Sequence, residues 1–299
     1  MEPFKLPPNA ETYIHEVKDR SFELIQLGIW KGIASLDVKT WFNNFTDITE
    51  KYFAACILDS FIYRSSDQTV ALARDLFLKD LPTVLNKTGF NFKNYRELTD
   101  DLKSGTDPNL RLVSVITPHQ SPTKSSHTIL RLLRRKLGFK EAWMIAPSDI
   151  EMEIKNGIET FIFIDDFLGT GTQFHSMYKN NLSLKCKAVN LFYAPLVAHQ
   201  EGIEFIEKEC SGVNVVFAEF LNEHADVFSY AFEDSINSPD SARKFYNQLM
   251  NKNDFSLLEE NKYGVGNLAL TYAFEHSSPD NSLNIIWDNK NGWHPLSPK

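Results

Sequence analysis

One stretch constrains this chain more than any other: Phe161-Ile162-Phe163-Ile164-Asp165-Asp166-Phe167-Leu168-Gly169-Thr170-Gly171-Thr172-Gln173. Its four leading apolar residues, β-branched or aromatic, predict a strand buried on both faces. Two adjacent carboxylates follow, where that strand is expected to leave the sheet. In open α/β sheets ligands bind outside the carboxyl ends of the strands, so the pair is placed for chemistry. The Gly-Thr-Gly-Thr run then supplies small residues whose backbone N–H groups can surround an anion at the next helix start, with two hydroxyls beside them. One turn thus offers an acidic edge able to take hydroxyls or a hydrated Mg²⁺, next to a phosphate cradle. A sugar phosphate satisfies both halves. The bland alternative is a surface turn ending in two solvated aspartates.

Rival motifs fit less well. A Walker loop needs Gly-Lys-Ser/Thr, and no Lys follows Gly171. A dinucleotide fingerprint needs a third glycine where Phe174 stands. An aspartyl-phosphate turn wants a second carboxylate two positions beyond the first, and Phe167 and Leu168 occupy the candidate places.

The flanking pattern agrees with an α/β core. Strands are predicted at Leu110 to Ile116, Ala142 to Ala146, Thr160 to Ile164, Ala188 to Tyr193 and Val213 to Phe220. Helical stretches lie between most of them, around Phe174 to Asn181 and Glu201 to Cys210, and an amphipathic one carries Ile129, Leu133 and Leu137. Short apolar strands spaced by helices predict a doubly wound parallel sheet, covered on both faces. Residues 11 to 104 read as helical, with Ala54, Ile57, Leu58, Phe61 and Ile62 at helical spacing and Asp47 three positions before Glu50 as a cap. The turn cluster Lys103 to Asn109 suggests a boundary, giving a helical region 1–104, an α/β core 105–262 and a small C-terminal cap 263–299 with a strand at Leu268 to Phe274.

Composition narrows the class without naming it. Lys and Arg total 31 against 39 Asp and Glu, a formal charge of −8. That excess argues against broad coating of nucleic acid, which Lys and Arg drive by displacing counterions, and leaves a local basic contact open. Three cysteines, far apart and none in a Cys-x-x-Cys pair, indicate neither a disulfide framework nor a zinc site. The first residues lack an apolar core of signal-peptide length, and the longest uncharged apolar run, Ala188 to Ala198, is broken by Asn190 and Pro195. A reduced, cytoplasmic protein without membrane contact is the expectation.

The motif resembles the phosphoribosyl-diphosphate binding segment of type I phosphoribosyltransferases. The resemblance implies that Asp165 and Asp166 act in catalysis by addressing the ribose 2′- and 3′-hydroxyls and, indirectly, Mg²⁺. It also implies that Gly169, Thr170, Gly171, Thr172 and Gln173 wrap the 5′-phosphate. Two positions depart from the family: it usually has a hydroxyl residue where Gly169 stands and Ser or Thr where Gln173 stands. Each lost charge-assisted hydrogen bond is worth roughly 1.5–3 kcal/mol. A diphosphate loop would fall on Thr117 to Ser126, with Lys124, Ser125 and Ser126 at a helix start, where a simple Ser N-cap is an equal reading. The mobile lid of the family has only the residues between Pro147 and Thr160 to form it.

The whole chain is similar, more loosely, to phosphoribosyltransferase-like proteins of bacterial anti-phage conflict loci, some retron operons among them. The similarity rests on Trp41-Phe42-x-x-Phe45, on the Asp165 to Gln173 loop, and on the tail from Ser278-Pro279-Asp280-Asn281 to Trp293-His294-Pro295-Leu296. It implies a defence effector or toxin subunit restrained by a protein or nucleoprotein partner. Two activities remain in view: Mg²⁺-dependent glycosyl transfer or cleavage at C1 of a ribose phosphate, and a non-catalytic module that senses a nucleotide or builds a complex.

Other features divide between function and packing. Arg131, Arg134, Arg135 and Lys136 form either a solvated face or a contact for an acidic partner. Trp287 and Trp293 either stack a base or fill a core. His175 and His199 lie near strand ends without an assigned role, and Asp59 reads as a cap or interhelical contact.

Overall fold

A computed structural model of the chain describes residues 3–116, 125–181, 189–232, 236–255 and 261–297. Two compact units emerge: Gln68–Asn222, and Met1–Asp67 together with Glu223–Lys299. This grouping differs from the boundaries expected at 104 and 262. Residues 68–104 belong with the α/β core, because Leu76, Phe77, Leu81, Leu85, Leu98 and Leu102 are fully buried there. Phe77 packs edge-on to Phe139 at 4.9 Å, and Lys140 N donates to the Leu102 carbonyl at 2.8 Å. A turn cluster marks a change of direction. It does not say which core the flanking helices join.

Among the described residues the strands, in chain order, are β1 (Ile62–Arg64), β2 (Arg111–Ser114), β3 (Met144–Ile145), β4 (Thr160–Leu168), β5 (Asn190–His199), β6 (Val213–Val215), β7 (Glu219–Leu221) and β8 (Tyr272–Phe274).

The unit made from both ends of the chain is mainly helical. Helices Ala10–Gln26, Ser35–Phe42 and Ile48–Asp59 precede β1, and helix Pro239–Lys252 precedes β8, which pairs parallel to β1. The Asp47 carboxylate caps the third helix by accepting from Thr49 N and Glu50 N, both at 2.9 Å. Asp59 ties that helix to the first, accepting from Tyr13 Oη at 2.9 Å and pairing with Arg20 at 2.8 Å. Both tail tryptophans pack: Trp293 is buried and donates to the Ile285 carbonyl at 3.0 Å, and Trp287 donates to the Ser282 carbonyl at 3.1 Å. Trp41 donates to the same Ile285 carbonyl, so the Trp-Phe-x-x-Phe stretch and the aromatic tail fill one core.

The other unit is a wholly parallel sheet of order β3-β2-β4-β5-β6, with β7 pairing to the far end of β5. One face carries Val113, Phe161, Phe163, Leu191 and Tyr193 against Ile150, Phe174, Met177 and Ile206 of the helices. On the other face Leu112, Ile162, Ile164, Phe192 and Ala194 are equally buried, and helix Ser125–Leu132 packs against β2 and β4. Burial on both faces accounts for the near-continuous apolar runs. At the start of β2, buried Arg111 grips Asp107 through two nitrogens, each at 2.8 Å, meets Glu153 at 2.5 Å, and lies over the Trp143 ring.

Two strands are longer than the sequence suggests. β4 runs four residues beyond Ile164, and β5 runs on to His199. Leu196, Val197 and Ala198 are fully buried, and Phe167 and Leu168 find ladder partners in Val197 and Ala198. Conversely, the stretch Val213 to Phe220 splits into β6 and β7, which share β5 as neighbour.

Candidate functional site

The sheet order places the site. From β2 the chain crosses to β3 on one side, then returns to β4 on the other. The carboxyl ends of β2 and β4 therefore bound a topological switch point, where parallel sheets open a crevice. Ser114 is the last residue of β2 and faces Ile164, the residue before the acidic pair.

Asp165 and Asp166 lie within β4, not beyond its end, and are 3% and 6% exposed. The expectation that the strand would release them at its tip is corrected by the length of β5, which keeps β4 paired as far as Leu168. The register passes from Asp165↔Pro195 directly to Phe167↔Val197. Pro195 brings no N–H to the ladder, so the pairing is locally irregular beside the carboxyls.

Asp165 is held from three directions. Its Oδ2 accepts from Tyr193 Oη at 3.1 Å, its Oδ1 accepts from Asp166 N at 3.1 Å, and the Asp166 carboxyl lies beside it. Burial, reinforced by the Asp166 charge, pushes the Asp165 carboxyl well above the usual carboxylate range. Burial and the Asp165 charge likewise raise the Tyr193 phenol. The Tyr193 ring stacks on Phe174 at 4.1 Å and 14°. Sequence reasoning placed Tyr193 in a strand but gave it no role. A phenol in a strand buried on both faces needs a partner for its hydroxyl, and that requirement was the available signal.

Beyond Leu168 the chain turns through Gly169, Thr170 and Gly171 into helix Thr172–Asn181. Gly171 has φ +79°, a left-handed conformation that glycine adopts without strain. Its carbonyl accepts from His175 N at 3.0 Å, the first turn of the helix. Thr170 Oγ1 and Thr172 Oγ1 share a hydrogen bond at 3.0 Å, so both hydroxyls gather at one point. Helix Gln200–Glu209 supports the loop from behind, and Gly202 allows its close approach: a Cβ there would collide with the Gly169 carbonyl oxygen. Gln173 turns its amide back toward β2, where Nε2 donates to the Val115 carbonyl at 3.3 Å.

The remaining candidates are partly described. Lys124 lies outside the described residues, while Ser125 and Ser126 open the backbone of helix Ser125–Leu132. The residues between Pro147 and Thr160 are folded largely as a short helix, Ile150–Lys155. His199 is buried at the end of β5 and accepts from Glu201 N at 3.3 Å, an N-cap, with burial lowering its pKa. His175 packs edge-on to Phe205.

Among the described residues no group of three or more His, Cys, Asp and Glu could hold a metal ion. Two adjacent carboxyls next to a hydroxyl-bearing loop suit instead a cation such as Mg²⁺, which keeps several waters and binds through one or two carboxylates plus substrate oxygens. The donor set fits that mode.

A parallel α/β sheet with paired acids and a Gly/Thr loop at its switch point defines a phosphoribosyltransferase-like protein. A family model described as PRTase-CE matches residues 38–299, and the chain belongs to that family. Comparison with curated proteins found no match. No described helix is long and apolar enough to cross a membrane.

Proposed function

We propose that the chain binds a ribose phosphate, as phosphoribosyl diphosphate or a nucleotide, together with Mg²⁺, and transfers or cleaves at C1. The observation that carries this reading is the placement of Asp165 and Asp166 at the β2–β4 switch point, four residues before a Gly/Thr loop that opens a helix. The helix start and the N–H groups of the loop hold the 5′-phosphate. Asp166 orients the ribose hydroxyls, and Asp165, bonded to Tyr193, fixes the strand from which Asp166 projects. In the transfer the C1–O bond to diphosphate breaks, diphosphate leaves with the electron pair, and an acceptor nitrogen or water oxygen bonds to C1. The carboxylates stabilise the positive charge that develops on the sugar. Mg²⁺ supplies charge neutralisation on the diphosphate when bound.

One observation favours the non-catalytic reading: Gln173 spends its amide on the Val115 carbonyl, and Gly169 offers no hydroxyl. Titration of phosphoribosyl diphosphate by calorimetry, with and without Mg²⁺, followed by an assay for diphosphate release, separates the two. Turnover that survives in the Asp165→Asn, Asp166→Asn double variant overturns the enzyme; binding without release supports the module. As for context, we place the protein as an effector of a bacterial anti-phage defence locus with a restraining partner. Support comes from the similarity of its motif and aromatic tail to proteins of such loci. A neighbouring reverse transcriptase gene and loss of phage protection in the double variant are the expected results; an ordinary nucleotide-salvage operon argues against it.

A further inference from the structure

A second cavity, of about 480 Å³, opens at the carboxyl ends of β2 and β3, one strand away from the acidic pair. Its size is that of a small-ligand site. Leu130, Met144 and Ile145 give it an apolar wall, and Ser114 reaches it from the end of β2. His127, Arg131 and Arg134 line it as well. They are spaced four and three residues apart along helix Ser125–Leu132 and the π turn Leu133–Leu137, so one face presents all three. Arg134 is paired with Glu141, which also lines the cavity. Arg131 has no hydrogen bond or ion pair among the described residues. An exposed guanidinium beside apolar wall atoms, in a chain of net charge −8, concentrates positive charge where the rest of the surface disfavours anions.

We infer that this cavity receives a nucleoside phosphate, its ring against Leu130, Met144 and Ile145 and its phosphate on Arg131. The assignment deepens the proposed function, since it names the chemical class of the second ligand beside the ribose site: one that carries its own phosphate, in place of a neutral free base. A planar guanidinium binds phosphate through two parallel N–H donors, which a neutral nucleoside does not satisfy.

The test is calorimetry on the full chain with adenosine and uridine monophosphates, the corresponding nucleosides, and inorganic phosphate. The monophosphates are expected to bind at least about tenfold more tightly than either the nucleosides or phosphate alone. Arg131→Gln, a change at an exposed position that leaves the core intact, is expected to weaken monophosphate binding at least about tenfold, and Arg131→Lys to restore part of it. Binding of phosphoribosyl diphosphate should survive Arg131→Gln and be lost in Asp166→Asn. Nucleosides that bind as well as their monophosphates, or Arg131→Gln that binds like wild type, overturn the inference. Inorganic phosphate binding as tightly as the monophosphates does so too. Arg131-dependent monophosphate binding in a protein that ignores phosphoribosyl diphosphate upholds the cavity and sinks the ribosyl reading instead; the converse result sinks the cavity alone.

Discussion

Tyr193 Oη donates to Asp165 Oδ2 at 3.1 Å while the Tyr193 ring stacks on Phe174, so one side chain joins the acidic pair to the helix that begins at the phosphate loop. The two halves of the candidate site are therefore coupled through the core as well as through the chain that links them. Tyr193→Phe keeps the stacking and removes only the donor. It is expected to lower stability by about 1–3 kcal/mol, the cost of leaving a buried acceptor unmade. Urea denaturation measures this; an unchanged midpoint means that the bond contributes nothing.

Gly202 gives a prediction with a discriminating sign. In an ordinary helix, alanine in place of glycine stabilises by roughly 0.5–1 kcal/mol. Here the added methyl collides with the Gly169 carbonyl and approaches Leu168 Cδ1 to 2.8 Å. Gly202→Ala is expected to destabilise by about 1–3 kcal/mol and to weaken phosphate binding, because the atom it displaces belongs to the loop. Thermal melting with and without phosphoribosyl diphosphate reads both effects, and a raised melting temperature would show that the contact is not tight.

Arg111 satisfies Asp107 and the mostly buried Glu153 at once, on the edge of the sheet opposite the site. Its hydrogen bonds hold the Asp107 carboxyl below its ordinary range. Arg111→Ala strands Glu153 without its cation, at an expected cost of about 3–5 kcal/mol. Ligand binding in the protein that remains folded should be unchanged. Comparing denaturation midpoints with calorimetric affinity tests that separation.

The buried Glu50 sets a pH dependence. Burial acts to raise its carboxyl, but hydrogen bonds from Lys252 and from Thr46 N and Oγ1 outweigh it, and the net direction is down. A carboxyl lowered on folding stabilises above its unfolded value, near 4.3, and that contribution disappears as pH falls through the folded value. Wild type is therefore expected to lose stability below about pH 4.3, and Glu50→Gln to lose less over the same interval. Denaturation midpoints from pH 3 to 6 decide; parallel curves would exclude the linkage.

How much of this was legible follows from the range of the interactions. The run from Phe161 to Gln173 announced itself because strand, acids and loop are contiguous, and the Asp47 cap is equally local. The burial of Asp165 was not legible, since it depends on β5 continuing to His199 and on a phenol 28 residues away. β1 was read as the end of a helix: Ile62 and Tyr63 fit helical spacing, and only β8, more than two hundred residues later, makes them a strand. The basic cluster divided in the same way. Periodicity put Arg131 and Arg134 on one face, but the cavity they line needs β3 as its far wall.

The helical unit draws its core from both ends of the chain, with Phe53 stacked on Phe232 at 5.7 Å and β1 laddered to β8. During synthesis its first 67 residues emerge long before their partners from residue 223 onward. At a translation rate of about 5–20 residues per second, that interval lasts on the order of ten seconds or more. The intervening α/β segment has all of its own strands available by then and can close first. The early apolar helices meanwhile have no native surface to cover them, which makes a nascent-chain chaperone, or rapid collapse among those helices themselves, a requirement of producing this protein in quantity.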